Sequence, residues 1–436
     1  MSDMKQGKPQ RDTTVGEAGD GRPRGLSKMP SNGHGCDFLE KLLDGAEVEW
    51  VALAQGEDKL TELRRGRVMS KGYLVENSGD YPVYSSQTAK NGQIGKIKTF
   101  DFDGESITWT TDGANAGTVF HRTGKFSITN VCGIIRICDV NRLNYRYLFH
   151  YLSFNTQRHV YAGMGNPKLM SNQMAKIQIP IPCPENPEKS LAIQAEIVRI
   201  LDTFTELTTE LTTELRARKK QYNYYRDQLL NFEDGEKEWM PLGEIGQPRM
   251  CKRILKHQTS PEGEIPFYKI GTFGKEPDSF IPKEIFKDYR ERYNYPSIGE
   301  ILISASGTIG RTVVFDGEIA YFQDSNIVWI ENDERLVLNK YLFYFYQIIK
   351  WHIADGGVIK RLYNDNIRKS EILVPYPNDP EKSLAEQARI VAILDKFDTL
   401  THSISEGLPR EIELRQKQYE YYRDLLLNFP KPSHQE

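Results

Sequence analysis

The 436-residue sequence has no stretch approaching the about 18 consecutive apolar residues of a membrane span. Its most aromatic segment, Tyr341–Ile353, is interrupted by Gln347, Lys350 and His352 and reads as a packed helix. Cysteine is sparse. Cys36, Cys132, Cys138, Cys183 and Cys251 are odd in number, scattered, and without the close pairing of a zinc site, which points to a reduced, cytoplasmic thiol set. Eight histidines are dispersed without ligand spacing, so no metal site is expected. Catalytic signatures are missing too. There is no phosphate-binding GxxxxGK[ST], HExxH, GxSxG or GxGxxG, nor the Asn/Asp-Pro-Pro-aromatic motif of amino-methylating enzymes. No catalytic residue is therefore assigned. The isolated aspartates Asp202 and Asp395 read as helix caps or surface charges.

Hydrophobic residues make up 39% of the chain and charged ones 27%, an ordinary balance for a chain that buries a core, and the length predicts more than one domain. Residues 1–37 are rich in Gly, Lys, Arg and Asp without an apolar segment. They read as a disordered tail without a secretory signal, with folding starting near Phe38. The net charge of −3 argues against a surface uniformly coated in nucleic acid, but the charge is uneven. Residues 55–176 hold 16 Lys and Arg against 10 Asp and Glu, whereas residues 243–370 hold 18 against 17.

What the sequence does have is itself, twice. PEKSLA at 187–192 recurs at 380–385, IVRILD at 197–202 as IVAILD at 390–395, and QYNYYRDQLLNF at 221–232 as QYEYYRDLLLNF at 418–429. GAEVEW at 45–50 has its counterpart in GEKEW at 235–239. Each copy thus runs from a Trp-containing lead-in, through a variable region, into a nearly constant helical one. In the first constant region Ile197, Leu201, Phe204, Leu207, Leu211, Leu215, Tyr222, Tyr225 and Leu229 recur at helical spacing, and nothing breaks Leu191–Phe232. A helix of about 42 residues would span roughly 60 Å. The second copy is four residues longer and carries Gly407-Leu408-Pro409, which predicts a kink or break. Either stripe alone could pack on its own domain. Two of them favour an antiparallel pair with a pseudo-two-fold axis, placing the lead-in at 38–53 beside the end of the second helix.

Both variable regions alternate short strand patterns with Gly-rich turns, at 81–97 and 107–120 and again at 301–315 and 319–330. Each then has an aromatic helix, Tyr147–Leu152 or Tyr341–Phe345, followed by a polar loop at 162–176 or 354–369. Arg and Lys donate to guanine, and Asn and Gln pair bidentately with adenine. On loop position and chemistry the candidate DNA contacts are Gln87, Lys90, Asn91, Thr111, Asn115, Lys168 and Asn172 in the first region. In the second they are Ser304, Ser306, Thr308, Arg311, Gln323, Lys360, Arg361 and Asn364.

The duplicated PEKSLA, ILD and QYxYYRDxLLNF blocks, in this order and with this lead-in, resemble the conserved regions of the specificity (S) subunit of type I restriction-modification systems, over about residues 38–430. The tail does not match that pattern. The resemblance implies an α+β fold, with two pseudo-two-fold-related globular target-recognition domains separated by two long antiparallel conserved helices forming a coiled coil. It divides the chain into a tail (1–37), a lead-in with the first recognition domain (38–185), a helical spacer (186–232), a second recognition domain (233–378), a second conserved helix (379–430) and an end segment (431–436). It further implies a non-catalytic subunit that reads a bipartite, asymmetric site in double-stranded DNA and scaffolds two adenine-N6 methyltransferase (M) subunits and two ATP-dependent translocase-nuclease (R) subunits. S-adenosylmethionine, ATP and Mg would sit on those partners, not on this chain. Partner contacts are expected on Tyr222, Tyr225, Tyr419 and Tyr422. The tandem TTEL units at 208–215 resemble the family's spacing ruler, each adding about 6 Å of helix. A structural coiled-coil adaptor without DNA reading is the rival expectation.

Overall fold

The computed structural model describes residues 36–56, 59–162, 165–231, 235–353, 360–403 and 405–431; the tail expected at 1–37 lies almost wholly outside them. The chain divides into two compact units, Met1–Thr209 with Leu414–Glu436, and Glu210–Glu413. Both conserved helical regions are therefore shared between units, so the units do not coincide with the linear blocks anticipated from sequence.

Unit 1 begins with α1 (Cys36–Leu43) and β1 (Val48–Ala52). Then come β2 (Thr61–Arg65), α2 (Lys71–Glu76), β3 (Ser78–Tyr84), β4 (Gln93–Ile97), β5 (Ser106–Thr110), β6 (Val119–Arg122), β7 (Ser127–Ile128) and β8 (Cys132–Ile137). The aromatic helix α3 (Tyr145–Asn155), short α4 (Ser171–Met174), β9 (Gln178–Pro182) and the long α5 (Pro187–Leu230) follow. Strand order is β2-β8-β5-β6 in one antiparallel sheet and β4-β3-β7 in a second, with β3 and β7 parallel; β1 pairs with β9, setting Trp50 opposite Pro180.

Unit 2 repeats this topology. It contains β10 (Lys237–Pro241), α6 (Leu242–Ile245), β11 (Gly246–Arg249), β12 (Ile265–Tyr268), β13 (Phe280–Ile281), α7 (Lys283–Arg292), β14 (Ile301–Ser304), β15 (Thr312–Val314), β16 (Tyr321–Phe322) and β17 (Ile327–Asn332). The aromatic helix α8 (Asn339–Phe345), α9 (Asn364–Lys369), β18 (Glu371–Pro375), α10 (Pro380–His402) and α11 (Gly407–Leu427) complete the chain. Its sheets run β11-β17-β14-β15 and β13-β12-β16, with β12 and β16 parallel, and β10 pairs with β18, setting Trp239 opposite Leu373.

The constant sequence builds the same frame in each unit. Gln194, fully buried, donates to the Arg142 carbonyl (3.0 Å) and the Ser190 hydroxyl (3.2 Å) and accepts from the Asn144 amide (2.9 Å). Gln387 does the same with the Leu336 carbonyl (3.1 Å), Ser383 (3.1 Å) and the Leu338 amide (2.9 Å). Each amide thus ties the start of a conserved helix to the start of the aromatic helix, and burial makes those bonds costly to lose. The Tyr147 and Tyr341 hydroxyls donate to the carbonyls of Pro180 (2.8 Å) and Leu373 (2.7 Å). Phe204 stacks on Tyr422 in unit 1, and Phe397 on Tyr225 in unit 2, with centroids 5.2 and 5.6 Å apart. Within unit 2 Tyr222 meets His402 and Tyr225 meets Phe397, so α5 and α10 run antiparallel there.

α5 is 44 residues long, in line with the uninterrupted stripe. In its threonine-rich part the hydroxyls of Thr205, Thr208 and Thr209 donate to the carbonyls four residues back, at 2.8–3.0 Å, so these polar side chains find their partners on the helix's own backbone. The predicted break is present. α10 ends at His402 and α11 starts at Gly407, whose φ is +71° and where a Cβ would lie 2.4 Å from the Thr399 carbonyl oxygen. Pro409 falls in the first turn of α11, where its missing N–H costs nothing.

The ILD aspartates are neither caps nor free surface charges. Asp202 accepts from Arg146 (Nε, 3.2 Å) and from His150 Nε2 (2.8 Å), both on α3. Asp395 accepts from Lys340 (2.9 Å) and from the Tyr344 hydroxyl, both on α8. Burial alone would raise the Asp202 carboxyl; its donors outweigh that and hold it down at about 2.

Candidate nucleic-acid interface

In unit 1 the loops leaving two strands converge with a segment that follows α3. Backbone bonds tie the β5–β6 turn (111–117) to residues 167–169 and hold the end of β3, and a side chain joins the loop after β3 (85–92) to that turn. Leu169 donates to the Thr111 carbonyl (3.0 Å), Gly113 to that of Pro167 (3.0 Å), and Thr129 to that of Tyr84 (2.9 Å). Side chains add to this: Asn115 donates to the Ser86 carbonyl (3.2 Å), Gln87 to that of Gln93 (2.6 Å), and the buried Trp109 indole to that of Leu169 (2.9 Å). The structure thereby gathers Gln87, Lys90, Asn91, Asn115 and Lys168 at one end of the unit, with Lys90, Asn91, Lys168 and Asn172 exposed. Thr111 is different. It is fully buried, accepting from Arg65 (3.2 Å), so it shapes the turn and offers no surface to a ligand.

Unit 2 builds the equivalent cluster from other residues. Leu362 donates to the Ala305 carbonyl (2.8 Å), Ala305 to that of Asn326 (2.7 Å), and Gln323 to that of Tyr268 (2.9 Å). The Gln323 side-chain oxygen accepts from the Ile270 amide (3.0 Å), and Arg361 donates to Asn326 Oδ1 (2.8 Å), which also accepts from Ser306 (2.7 Å). Thr308 and Lys360 are exposed; Arg311, Gln323, Arg361 and Asn364 are half-buried. Ser304 and Ser306 are buried, and the Ser304 hydroxyl closes the β14–β15 turn by donating to the Thr308 carbonyl and accepting from the Arg311 amide (2.8 Å). These two serines, like Thr111, hold their turns. Residues 354–359 of the second polar loop lie outside the described residues.

Sequence reasoning missed Arg65, which donates to the Asn130 carbonyl (2.7 Å) in the middle of the first cluster. The dense basic run Arg64, Arg65, Arg67 was the available signal. The four tyrosines expected at the partner surface differ in how open they are. Tyr222 is buried in unit 2 and donates to Gln347 (2.9 Å), while Tyr225 and Tyr422 are stacked on Phe397 and Phe204, and Tyr419 is half-buried against unit 1's core. The most exposed tyrosines of the repeats are Tyr224 and Tyr421, 62% and 59% exposed, each edge-on to its neighbour, with Tyr225 at 41% despite its stack on Phe397. Among the described residues no group of three or more His, Cys, Asp or Glu is placed to hold a metal ion, and no helix is long and apolar enough to cross a membrane.

Two units of one topology, each presenting donors and acceptors on a cluster of loops above a repeated frame, define a duplicated recognition protein. Residues 48–219 and 235–414 each match the type I restriction modification DNA specificity domain. The chain is 48% identical over 403 residues to a putative type I restriction enzyme specificity subunit of Haemophilus influenzae, covering 90% of this chain and 98% of that one. It is 38% identical over 425 residues to the EcoR124I/EcoR124II specificity subunit of Escherichia coli, covering 91% and 98%. A crystal structure of the type I restriction-modification S subunit from M. genitalium shares the fold, with a TM-score of 0.55 at 14% identity over 89% of this chain and 98% of that one. This chain belongs to the family of type I restriction-modification DNA specificity subunits.

Proposed function

We propose that the chain is the non-catalytic reader of its system, each unit recognising one half of a bipartite, asymmetric duplex site. The observation that carries this is the pair of loop clusters, which share topological position but not residues: one frame used twice, with two different reading surfaces, suits two different half-sites. The exposed candidates Lys90, Asn91, Lys168 and Asn172 would act for one half, and Thr308 and Lys360, with the half-buried Gln323, Arg361 and Asn364, for the other. The same reading makes the chain a cytoplasmic scaffold for adenine-N6 methyltransferase subunits and for ATP-dependent nuclease subunits, with S-adenosylmethionine, ATP and Mg held on those partners. Tyr224 and Tyr421, at equivalent places in the two repeats and exposed in both, are the anchors this reading assigns to the methyltransferase; aromatic side chains of this kind dominate interface energetics.

The test is to co-express the chain with its methyltransferase subunit and map N6-methyladenine across the host genome. A split motif that vanishes when this chain is omitted supports the reading and yields both half-sites. A stable complex that writes no new methylation would overturn it in favour of a structural adaptor. Deleting one TTEL unit, which removes about 6 Å of helix, should shorten the tolerated spacer and leave both half-sites intact.

A further inference from the structure

Arg122 ends the edge strand β6 and is only 7% exposed, yet among the described residues no carboxylate lies within ion-pair distance of it. Its guanidinium instead sits 3.6 Å from the Tyr84 ring centroid and 4.5 Å from that of Phe120, donates to Thr108 Oγ1 (3.2 Å), and donates through Nη2 to the Asn91 carbonyl (2.7 Å). A buried cation without a counter-charge is expensive, and ring faces recover only part of that cost. What it holds is a strained loop. Lys90 and Asn91 are consecutive left-handed residues, with φ of 50° and 53°, followed by Gly92 at +81°. A Cβ on Gly92 would lie 3.1 Å from the Gln87 carbonyl oxygen and 3.3 Å from Arg122 Nη2.

Unit 2 has the same device from unrelated sequence. Arg311, immediately before the edge strand β15, donates through Nη1 to the Phe273 carbonyl (3.0 Å), and the residue after Phe273, Gly274, has φ +70°. In both units an arginine from the edge of the four-stranded sheet grips the carbonyl just before a left-handed glycine. In both, the gripped loop is the one leaving the central strand of the three-stranded sheet, β3 or β12.

We propose that Arg122 and Arg311 are positioning residues for half-site recognition: each clamps the loop after its unit's central strand into the conformation that meets the duplex, without itself reading a base. For Arg311 this replaces the direct contact expected from sequence. The proposal rests on the reading that each unit recognises one half-site. Ordering a strained loop before the ligand arrives removes an entropic cost from binding and fixes the geometry of donors that discriminate bases.

The experiment uses the full chain in complex with its methyltransferase subunits, with wild type mapped first. If wild type writes no split motif, the underlying reading fails and the clamp is overturned with it. Given that motif, Arg122→Met and Arg311→Met are each mapped and titrated with duplexes carrying single base changes. Arg122→Met is expected to cut discrimination about tenfold in one half-site only, and Arg311→Met to do so in the other half only. Gly92→Ala should reproduce the Arg122→Met pattern through a different atom. Arg122→Lys, which keeps the charge and one donor, should restore part of the discrimination. Loss shared equally by both halves, both variants acting on the same half, or unchanged discrimination in a folded variant would overturn the clamp. Should Arg122→Met fail to fold, the less buried Arg311 decides alone.

Discussion

The two units hold their tryptophans on different sides of the same four-stranded sheet. In unit 1 Trp109 lies on β5 opposite Gly133 and belongs to the core that α3 and the conserved helices share; a Cβ on Gly133 would overlap its ring at 2.1 Å. In unit 2 Trp329 lies on β17 opposite Leu302 and faces the other layer, with Phe267, Phe273, Phe286, Phe315, Tyr321 and Phe322. The counterpart layer of unit 1 is small, built on Phe126, Ile128, Cys132 and Ile134. By contrast the frame is nearly superimposable in its chemistry: Gln194 and Gln387, Tyr147 and Tyr341, and the two Phe–Tyr stacks repeat bond for bond. Repeated contacts thus lie between conserved and aromatic helices and among the conserved helices themselves, whereas the layer beneath the reading loops differs between the units.

Truncating the tryptophans gives the largest effect. Trp109→Ala and Trp329→Ala should each cost about 3–5 kcal/mol, but in different places. Losing Trp109 opens the shared core of unit 1 and also frees the Leu169 carbonyl, so the frame should loosen along with the loops. Losing Trp329 should loosen the outer layer of unit 2 and spare its frame. Amide hydrogen exchange resolved by segment distinguishes the two, and protection lost equally from α8 and α3 in their respective variants would erase the difference.

A smaller effect separates the two aspartates. Asp202→Ala strands the Arg146 guanidinium and a His150 ring that is 1% exposed, and should cost about 2–3 kcal/mol. Asp395→Ala strands the Tyr344 hydroxyl and Lys340, where both partners of the ion pair are over 40% exposed, and should cost about 1 kcal/mol. Denaturation midpoints of the two variants check the order; equal losses would mean that the different partners supplied by the variable regions are energetically interchangeable.

That contrast also marks how far the sequence could be read. The repeat, the long helix and the break at Gly407 were legible because periodicity and glycine chemistry are local. Asp202 and Asp395 were misread because an aspartate on a helix has no local sign of what faces it; Arg146 and His150 are supplied 50 or more residues upstream. The same limit hid the tyrosines. Helical spacing placed Tyr222 and Tyr225 on an apolar face but could not say that Tyr222 is buried there against Gln347, that Tyr225 stacks on Phe397 and stays 41% exposed, or that the intervening Tyr224 is more open still. Among the loop candidates, residue type and turn position located the clusters, but Thr111, Ser304 and Ser306 turn inward because a small hydroxyl finds a partner inside the unit, Ser304 on the backbone of its own turn, Thr111 on Arg65 and Ser306 on Asn326. Lys90 and Asn91 were found for their chemistry, with nothing in the sequence announcing the left-handed backbone that presents them.

The smallest predicted effect is the pH dependence that His150 contributes in unit 1. His150 Nε2 donates to Asp202, and Nδ1 is buried with no partner among the described residues. A neutral ring leaves only a bare acceptor there, whereas a protonated ring would bury a bare N–H. Burial therefore pulls the imidazole below its usual range; Asp202 opposes this, while Arg146 and His121 add to it. With a depressed folded pKa, the stability contributed by the neutral ring is complete above the unfolded value, near 6.5. Below that the unfolded chain takes up a proton that the folded chain refuses, so stability falls as pH drops, by at most about 1.4 kcal/mol per unit. Asp202, held at about 2, adds nothing to this slope between pH 6.5 and about 4. The corresponding position in unit 2 is Tyr344, whose hydroxyl is pushed upward by burial and by Asp395, so no titration is expected there in the same window. Thermal melts from pH 7 to 5 should show a downward trend in wild type that His150→Gln, which keeps a donor but cannot titrate, reduces. Identical slopes in the two proteins would show that the ring accepts its proton inside the fold, and that Asp202 compensates for its burial in full.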